Sequence, residues 1–243
     1  MDRVVAFKAL VGSHNYNLND ENSDKDYKVF VLPTFEDLYN REMYANQIIG
    51  EEEDLDIHDI RKLPNLFYKS NINFIEVLYS NEIIIGEEMN RTQEILIKKI
   101  FEKRDEIVRM NLPHLFNAGM HLNKIKLLRK GTEGTQHLVD KFGYDTKQAQ
   151  HAYRVLNFIE RFSETELSDF KQAITYFGED KKFMLDIKGA FFNAESFENF
   201  VSFYHDARFK PLKEKYHSFK PNEELKKELE MLIMNLVKVS VVN

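Results

Sequence analysis

The chain has 243 residues, 43% hydrophobic and 30% charged, with a formal net charge of −6 and no cysteine. That length supports one sizeable core or two small domains, and the missing cysteines exclude disulfides, thiol chemistry and cysteine metal sites. The acidic balance argues against broad electrostatic wrapping of nucleic acid, though a local basic groove stays open.

The N-terminal MDRVVAFKALVG has no basic stretch followed by a long apolar one, so no signal peptide is expected. No apolar run approaches a membrane span, so no membrane partner is expected, and a cytoplasmic location fits best. Val4 to Val11 reads as a first strand, or as the end of a short helix running into one. Tyr27 to Leu32 is rich in β-branched and aromatic residues, stops at Pro33 and reads as a buried strand. Phe35 to Tyr44 suggests a short helix or loop, and Glu51 to Ile60 a third strand. Arg61 to Lys69 reads as a helix with Pro64 in its first turn. From about Glu87 the apolar spacing turns helical, in 90–109, 112–130, 146–162, 195–215 and 222–241. Strands early and helices late predict an α+β protein, with a boundary near residues 80 to 90 and no Gly/Ser/Pro-rich linker.

The chemistry-bearing stretch is GSHNYNLNDENSDKDYKVFVL, residues 12 to 32. Positions i and i+2 of a strand share a face, so Asp24 and Asp26 are expected to converge, with Lys25 opposite. A divalent cation is one chemical reason for such a pair, because Mg²⁺ takes oxygen ligands and often only one or two carboxylates. A calcium loop through Asp20, Asn22, Asp24 and Asp26 is rejected. Its sixth position would be Lys25 instead of glycine, and its twelfth Val31 instead of glutamate. Gly12 lets a backbone approach phosphate, and Ser13 adds a hydroxyl donor.

A third carboxylate is expected from a neighbouring strand. Asp54, Asp56 and His58 share a face by alternation, and Asp56 lies between apolar Leu55 and Ile57. Asp56 could ligate metal or serve as general base, with Asp54 the rival and His58 read as a surface residue. No P-loop, strand-linked GxGxxG or HExxH motif is present.

Gly12-Ser13, Asp24-x-Asp26 and the later apolar-Asp-apolar strand together resemble the polymerase-β-like nucleotidyltransferase signature. Within that superfamily the chain resembles a predicted nucleotidyltransferase family related to those found beside RNA-repair ligases. The likeness extends through DLDIHDIRKLPNLFYKSNINFIEVLYS, FNAGMHLNKIKLL, YDTKQAQHAYRVL and MLDIKGAFF. Two positions depart from the family pattern. Asn71-Ile72-Asn73 replaces an Asn-Pro-Asn turn, and Asn17 replaces a glycine, a change asparagine's tolerance of positive φ would absorb.

The resemblance implies a small mixed-sheet nucleotidyltransferase core over 1–85 and a helical domain over 86–243 completing the cleft. It implies transfer of NMP from NTP to an acceptor hydroxyl with Mg²⁺ or Mn²⁺, RNA or tRNA being candidate acceptors. Asp24, Asp26 and Asp56 would hold metal, and Gly12 and Ser13 the outer phosphates. Lys147, His151 and Arg154, at i, i+4 and i+7, fall within roughly 60° of one another on a helix. They match the family's Lys-x-x-x-His-x-x-Arg block, which would neutralise triphosphate charge. Asn71 and Glu76 fit fold-holding roles equally well. KIKLLRK, with Lys124, Lys126, Arg129 and Lys130, is a basic helix patch that could contact RNA. The alternative is a catalytically silent nucleotide- or RNA-binding module on the same fold. Oligomeric state is not legible.

Overall fold

The computed structural model describes residues 3–21, 23–117 and 119–242. β1 (Val5–Val11) runs into the one-turn helix α1 (Gly12–Asn15), and the chain returns as β2 (Lys25–Val31). Next come α2 (Phe35–Tyr39), β3 (Ala45–Ile49) and β4 (Glu53–Asp59). A 3-10 turn leads into α3 (Leu63–Tyr68), where Pro64 occupies the first turn as expected and no N–H is missed. α4 (Ile72–Ile75), a second 3-10 turn at Glu76–Tyr79, β5 (Ile83–Ile85), α5 (Arg91–Glu102) and α6 (Arg104–Val108) follow.

Among the described residues, five strands form one sheet in the order β3-β4-β2-β1-β5. β2 and β4 run parallel, while the other neighbouring pairs are antiparallel. β3 and β5 extend the three strands expected from the sequence. β3 is exposed throughout and β5 is only three residues long, so neither gives an alternating pattern to read.

The register sorts the sheet's two faces. Leu10, Tyr27, Val29, Val31 and Ile57 form a buried cluster on one face, backed by Leu55 and Tyr44. On the other face β2 presents Asp26, Lys28 and Phe30, each beside a β4 residue in register: Asp54, Asp56 and His58. β1 adds Phe7 opposite Phe30 and Val11 opposite Asp26. This second face runs from apolar to acidic along the strands. Phe7 and Phe30 stack with centroids 4.8 Å apart, and Phe101 of α5 meets Phe7 edge-on at 5.2 Å.

The chain forms two compact units, one of Met1–Asn111 with Pro221–Asn243 and one of Leu112–Lys220. The expected boundary at 85/86 therefore falls inside the first unit. The reason is the last helix, α15 (Glu223–Val242), which returns to pack on α5 and α3 and joins Lys103 to Glu228 at 2.9 Å. In the second unit come α7 (Leu112–Leu115), α8 (Gly119–Leu127), α9 (Gln136–Phe142), α10 (Thr146–Glu164) and α11 (Phe170–Ile174). α12 (Gly178–Lys188), α13 (Ala194–Tyr204), a π turn at His205–Phe209 and α14 (Lys210–Tyr216) complete it, and α15 (Glu223–Val242) belongs to the first unit. α9, α11 and α12 are additional to the helices expected from spacing. α10 is the centre of the second unit, burying Ala149, Ala152, Leu156, Ile159 and Phe162, with Asp145 as its N-cap. Among the described residues no helix is long and apolar enough to cross a membrane.

Glu76 fixes the turn after β1. Its carboxylate, on a residue only 2% exposed, accepts from the Gly12 amide at 3.2 Å and from Asn15 Nδ2 at 3.3 Å. Asn15 Oδ1 in turn accepts from the Asn81 amide. Asn71 caps α4 by accepting from the Asn73 amide. Removing a buried acceptor leaves its donors unsatisfied at about 1–3 kcal/mol. Glu76→Ala is therefore expected to lower unfolding free energy by about that amount in urea denaturation. A midpoint and slope equal to wild type would remove Glu76 as the tie.

Candidate active site

The acidic end of the second sheet face meets the α1 turn. Asp26 is partly buried there, and Asp24 lies one residue ahead of β2 and is exposed. The loop before it is tied by its own polar groups. His14 Nε2 is 2.9 Å from the Ser23 carbonyl, and Ser23 Oγ accepts from the Asp20 amide at 2.9 Å. Asn17 adopts φ 60°, so the left-handed turn survives without glycine. Asn22, weighed above as a calcium-loop position, lies outside the described residues, as does Ala118 in the expected helix 112–130.

Gly12 is required by geometry. It has φ 69°, and a Cβ there would stand 2.5 Å from Asp26 Oδ2. A side chain would thus carry both left-handed strain and a clash with the carboxylate. Gly12 brings the backbone against Asp26, but its own amide is already given to Glu76. Ser13, next in the chain, is partly buried.

The third-carboxylate question has a structural form. Asp54 lies directly across from Asp26 in the parallel register and accepts from the Gly50 amide at 3.2 Å. Asp56 lies across from Lys28, whose Nζ donates to Asp56 Oδ2 at 2.6 Å. His58 Nε2 is 2.9 Å from Asp56 Oδ1, at ion-pair distance but out of line for a hydrogen bond. Burial works against the Asp56 charge, but His58 and Lys28 outweigh it and hold the carboxyl down to about 2. Lys28 is itself buried, with Nζ 4.3 Å from the Phe74 ring centroid. His58 packs edge-on against Phe74 at 5.0 Å and is partly buried, not the surface residue expected. β4 lies between β3 and β2, not at the sheet edge.

Among the described residues no group of three or more His, Asp or Glu side chains is gathered as a metal cage. The acidic end offers hard oxygen donors from few carboxylates beside a closely approaching backbone. That donor set suits Mg²⁺ or Mn²⁺, which accept one or two carboxylates and complete their shell with water and phosphate.

In the second unit, Lys147 is exposed, His151 partly buried and Arg154 only 9% exposed. Burial, followed by the charges of Arg154, Lys124, Lys147 and Lys188, pushes the His151 imidazole well below its usual range. Exposure thus falls along the three, from Lys147 to Arg154. Sequence reasoning missed Lys28, although alternation from Asp26 puts it on the same face. It also missed the Glu76 link to Gly12, which joins residues 64 apart in sequence.

No curated protein matches the chain. One solved structure with which it aligns is the crystal structure of a nucleotidyltransferase-like protein from Exiguobacterium sibiricum 255-15. That alignment has 11% identity over 97% of this chain and 69% of the other, with a TM-score of 0.27, too loose to argue from. The family comparison is decisive. Residues 2–156, well over half of the sequence and including β1, β2, β4 and the first eleven residues of α10, match RlaP. The chain belongs to this RNA repair pathway DNA polymerase beta family.

Proposed function

We propose that the protein is a metal-dependent nucleotidyltransferase that moves NMP from an NTP to an acceptor hydroxyl, releasing pyrophosphate. The observation that carries this reading is the Gly12 backbone held against the Asp26 carboxylate, with Asp54 in register beside it. Family membership supports it independently. Asp24 and Asp26 would hold Mg²⁺ or Mn²⁺, with Asp56 as the third carboxylate. When bound, the ion supplies positive charge to the phosphates and the leaving pyrophosphate. Ser13 offers a hydroxyl to the outer phosphates, and Gly12 gives them room.

Lys28 and His58 keep Asp56 ionised and oriented. A carboxylate held at about 2 is a weak proton acceptor at neutral pH, so Asp56 fits a ligand better than a general base. A second assignment, with Asp54 in place of Asp56, has the strand register in its favour. In the second unit, Lys147 and Arg154 would supply positive charge for phosphate, with His151 beside them as an imidazole whose protonation burial disfavours. RNA or tRNA is the proposed acceptor class, which the RNA repair context of the family supports.

The test is transfer of label from each alpha-phosphate-labelled NTP, with Mg²⁺ or Mn²⁺, to pooled RNA, tRNA or protein extract. Wild type is expected to label one acceptor class. Replacing even the partners of metal ligands costs about 10–100-fold, so Asp26→Asn should lose at least about 100-fold. Its thermal midpoint should stay level or rise, because like-charge repulsion is relieved. Wild-type turnover by Asp26→Asn would sink the assignment. Metal-dependent NTP binding with no transfer to any acceptor would support the silent binding module instead.

Asp54→Asn and Asp56→Asn, assayed side by side, decide the third carboxylate. Loss of at least about 100-fold in Asp56→Asn but not Asp54→Asn is the expected result. The reverse pattern would move the role to Asp54.

A further inference from the structure

β3 is one edge of the sheet, and among the described residues no strand pairs beyond it. The Asp59 amide donates to the Tyr44 carbonyl at 3.0 Å and the Gly50 amide to the Glu53 carbonyl at 3.2 Å, so the residues flanking β3 face β4. Antiparallel ladders alternate, which turns the N–H and C=O groups of Ala45, Gln47 and Ile49 away from the sheet. The Gln47 amide is met by Asn46 Oδ1 at 2.9 Å, an exposed bond that a neighbouring strand could replace. Edge strands are ordinarily guarded by charge, proline, a bulge or shortness. The opposite edge, β5, has only three residues. β3 has five, all exposed, none charged or proline, and it pairs with β4 in unbroken register.

The same stretch concentrates exposed apolar surface. Among the described residues sixteen large apolar side chains are exposed, and five of them lie within 35–49: Phe35, Tyr39, Met43, Ile48 and Ile49. Such a concentration marks an interaction surface. Phe35 and Tyr39 of α2 stack with centroids 6.4 Å apart. Arg3 ties α2 to the start of β3, pairing with Asp37 at 2.7 Å and lying 3.9 Å from the Tyr44 ring centroid. The edge therefore has an aromatic end before Ala45 and an isoleucine end after Gln47.

We propose that β3 pairs antiparallel with β3 of a second copy of this chain, about a two-fold axis at Gln47, so that one sheet runs through both copies. That register sets Ala45 opposite Ile49 and Gln47 opposite Gln47, matching every outward-facing backbone group with another. It also brings the aromatic end of each copy to the isoleucine end of the other, twice over. Parallel pairing would set like ends together and would not close. A fully buried aromatic side chain covers about 150–250 Å². Two open rings, a methionine and two isoleucines from each copy thus approach the lower bound of stable interfaces, about 1,200 Å² in total. A reversible dimer of micromolar Kd is the expected strength. Nothing in this inference depends on nucleotidyl transfer.

The test is sedimentation velocity of the full chain across a concentration series, with thermal midpoints measured alongside. Wild type is expected to pass reversibly from monomer to dimer. Ala45 and Ile49 are exposed, so Ala45→Glu and Ile49→Lys should leave the monomer's midpoint unchanged. Each should weaken dimerisation at least about 10-fold by placing a charge on the pairing edge. The double variant should dimerise again, because the two-fold register sets each new glutamate directly opposite a lysine of the other copy. Within one chain, positions 45 and 49 are too far apart along the strand to pair, so recovery reads the contact between copies. A monomer at every concentration overturns the proposal, as does a dimer indifferent to both single substitutions. Failure of the double variant to recover overturns the antiparallel register, and growth past a dimer overturns the two-fold closure.

Discussion

The close approach of Gly12 to Asp26 is the constraint on which the acidic end of the sheet depends. The turn must put backbone where a Cβ would stand 2.5 Å from a carboxylate oxygen, and must do so at positive φ. Glycine alone meets both demands without strain. The turn is then held from beneath by Glu76, whose buried carboxylate takes the Gly12 amide and the Asn15 side chain. Two carboxylates thus bracket one glycine, and they have opposite fates. Glu76 is sealed in the core as an acceptor, whereas Asp26 stays partly open to solvent. The difference in burial separates a fold-holding acid from one that can meet a cation.

The same sheet face explains how acids persist beside a hydrophobic core. From Phe7 and Phe30 the pairs pass through Phe30–His58 and Lys28–Asp56 to Asp26–Asp54. Each step toward the open end exchanges apolar contact for charge. Lys28 stands at the transition, its stem buried and its ammonium shared between the Asp56 carboxylate and the Phe74 ring. Asp56 is charged because those neighbours outweigh its burial. Without Lys28 and His58, desolvation would favour the protonated acid.

The strands and helices that carry the site were legible because their side chains repeat with a period. β4 alternates, β2 is a run of β-branched and aromatic residues ending at Pro33, and α10 carries its apolar stripe over nineteen residues. Alternation also put Asp54, Asp56 and His58 on one face before any coordinates. It could not say what covers that face, and so His58 was read as exposed although Phe74 of α4 packs on it. The order of strands was hidden for a related reason. The parallel pairing of β2 with β4 sets Asp54, not Asp56, across from Asp26, and register is a relation between segments that neither sequence contains alone. The influence of Lys124 and Lys188 on His151 was illegible because they come from separate helices.

Each unit, taken by itself, concentrates one sign of charge. The first gathers carboxylates at the end of a sheet, and the second gathers cations along a helix and its two flanking neighbours. A fold selected for stability alone would intersperse the signs, because clustered like charges repel and burial deepens the cost. Lys28 and His58 answer Asp56, and Asp145 faces Lys124 while serving as a helix cap. The cost is met locally, by an ion pair in the sheet and by the cap of a helix.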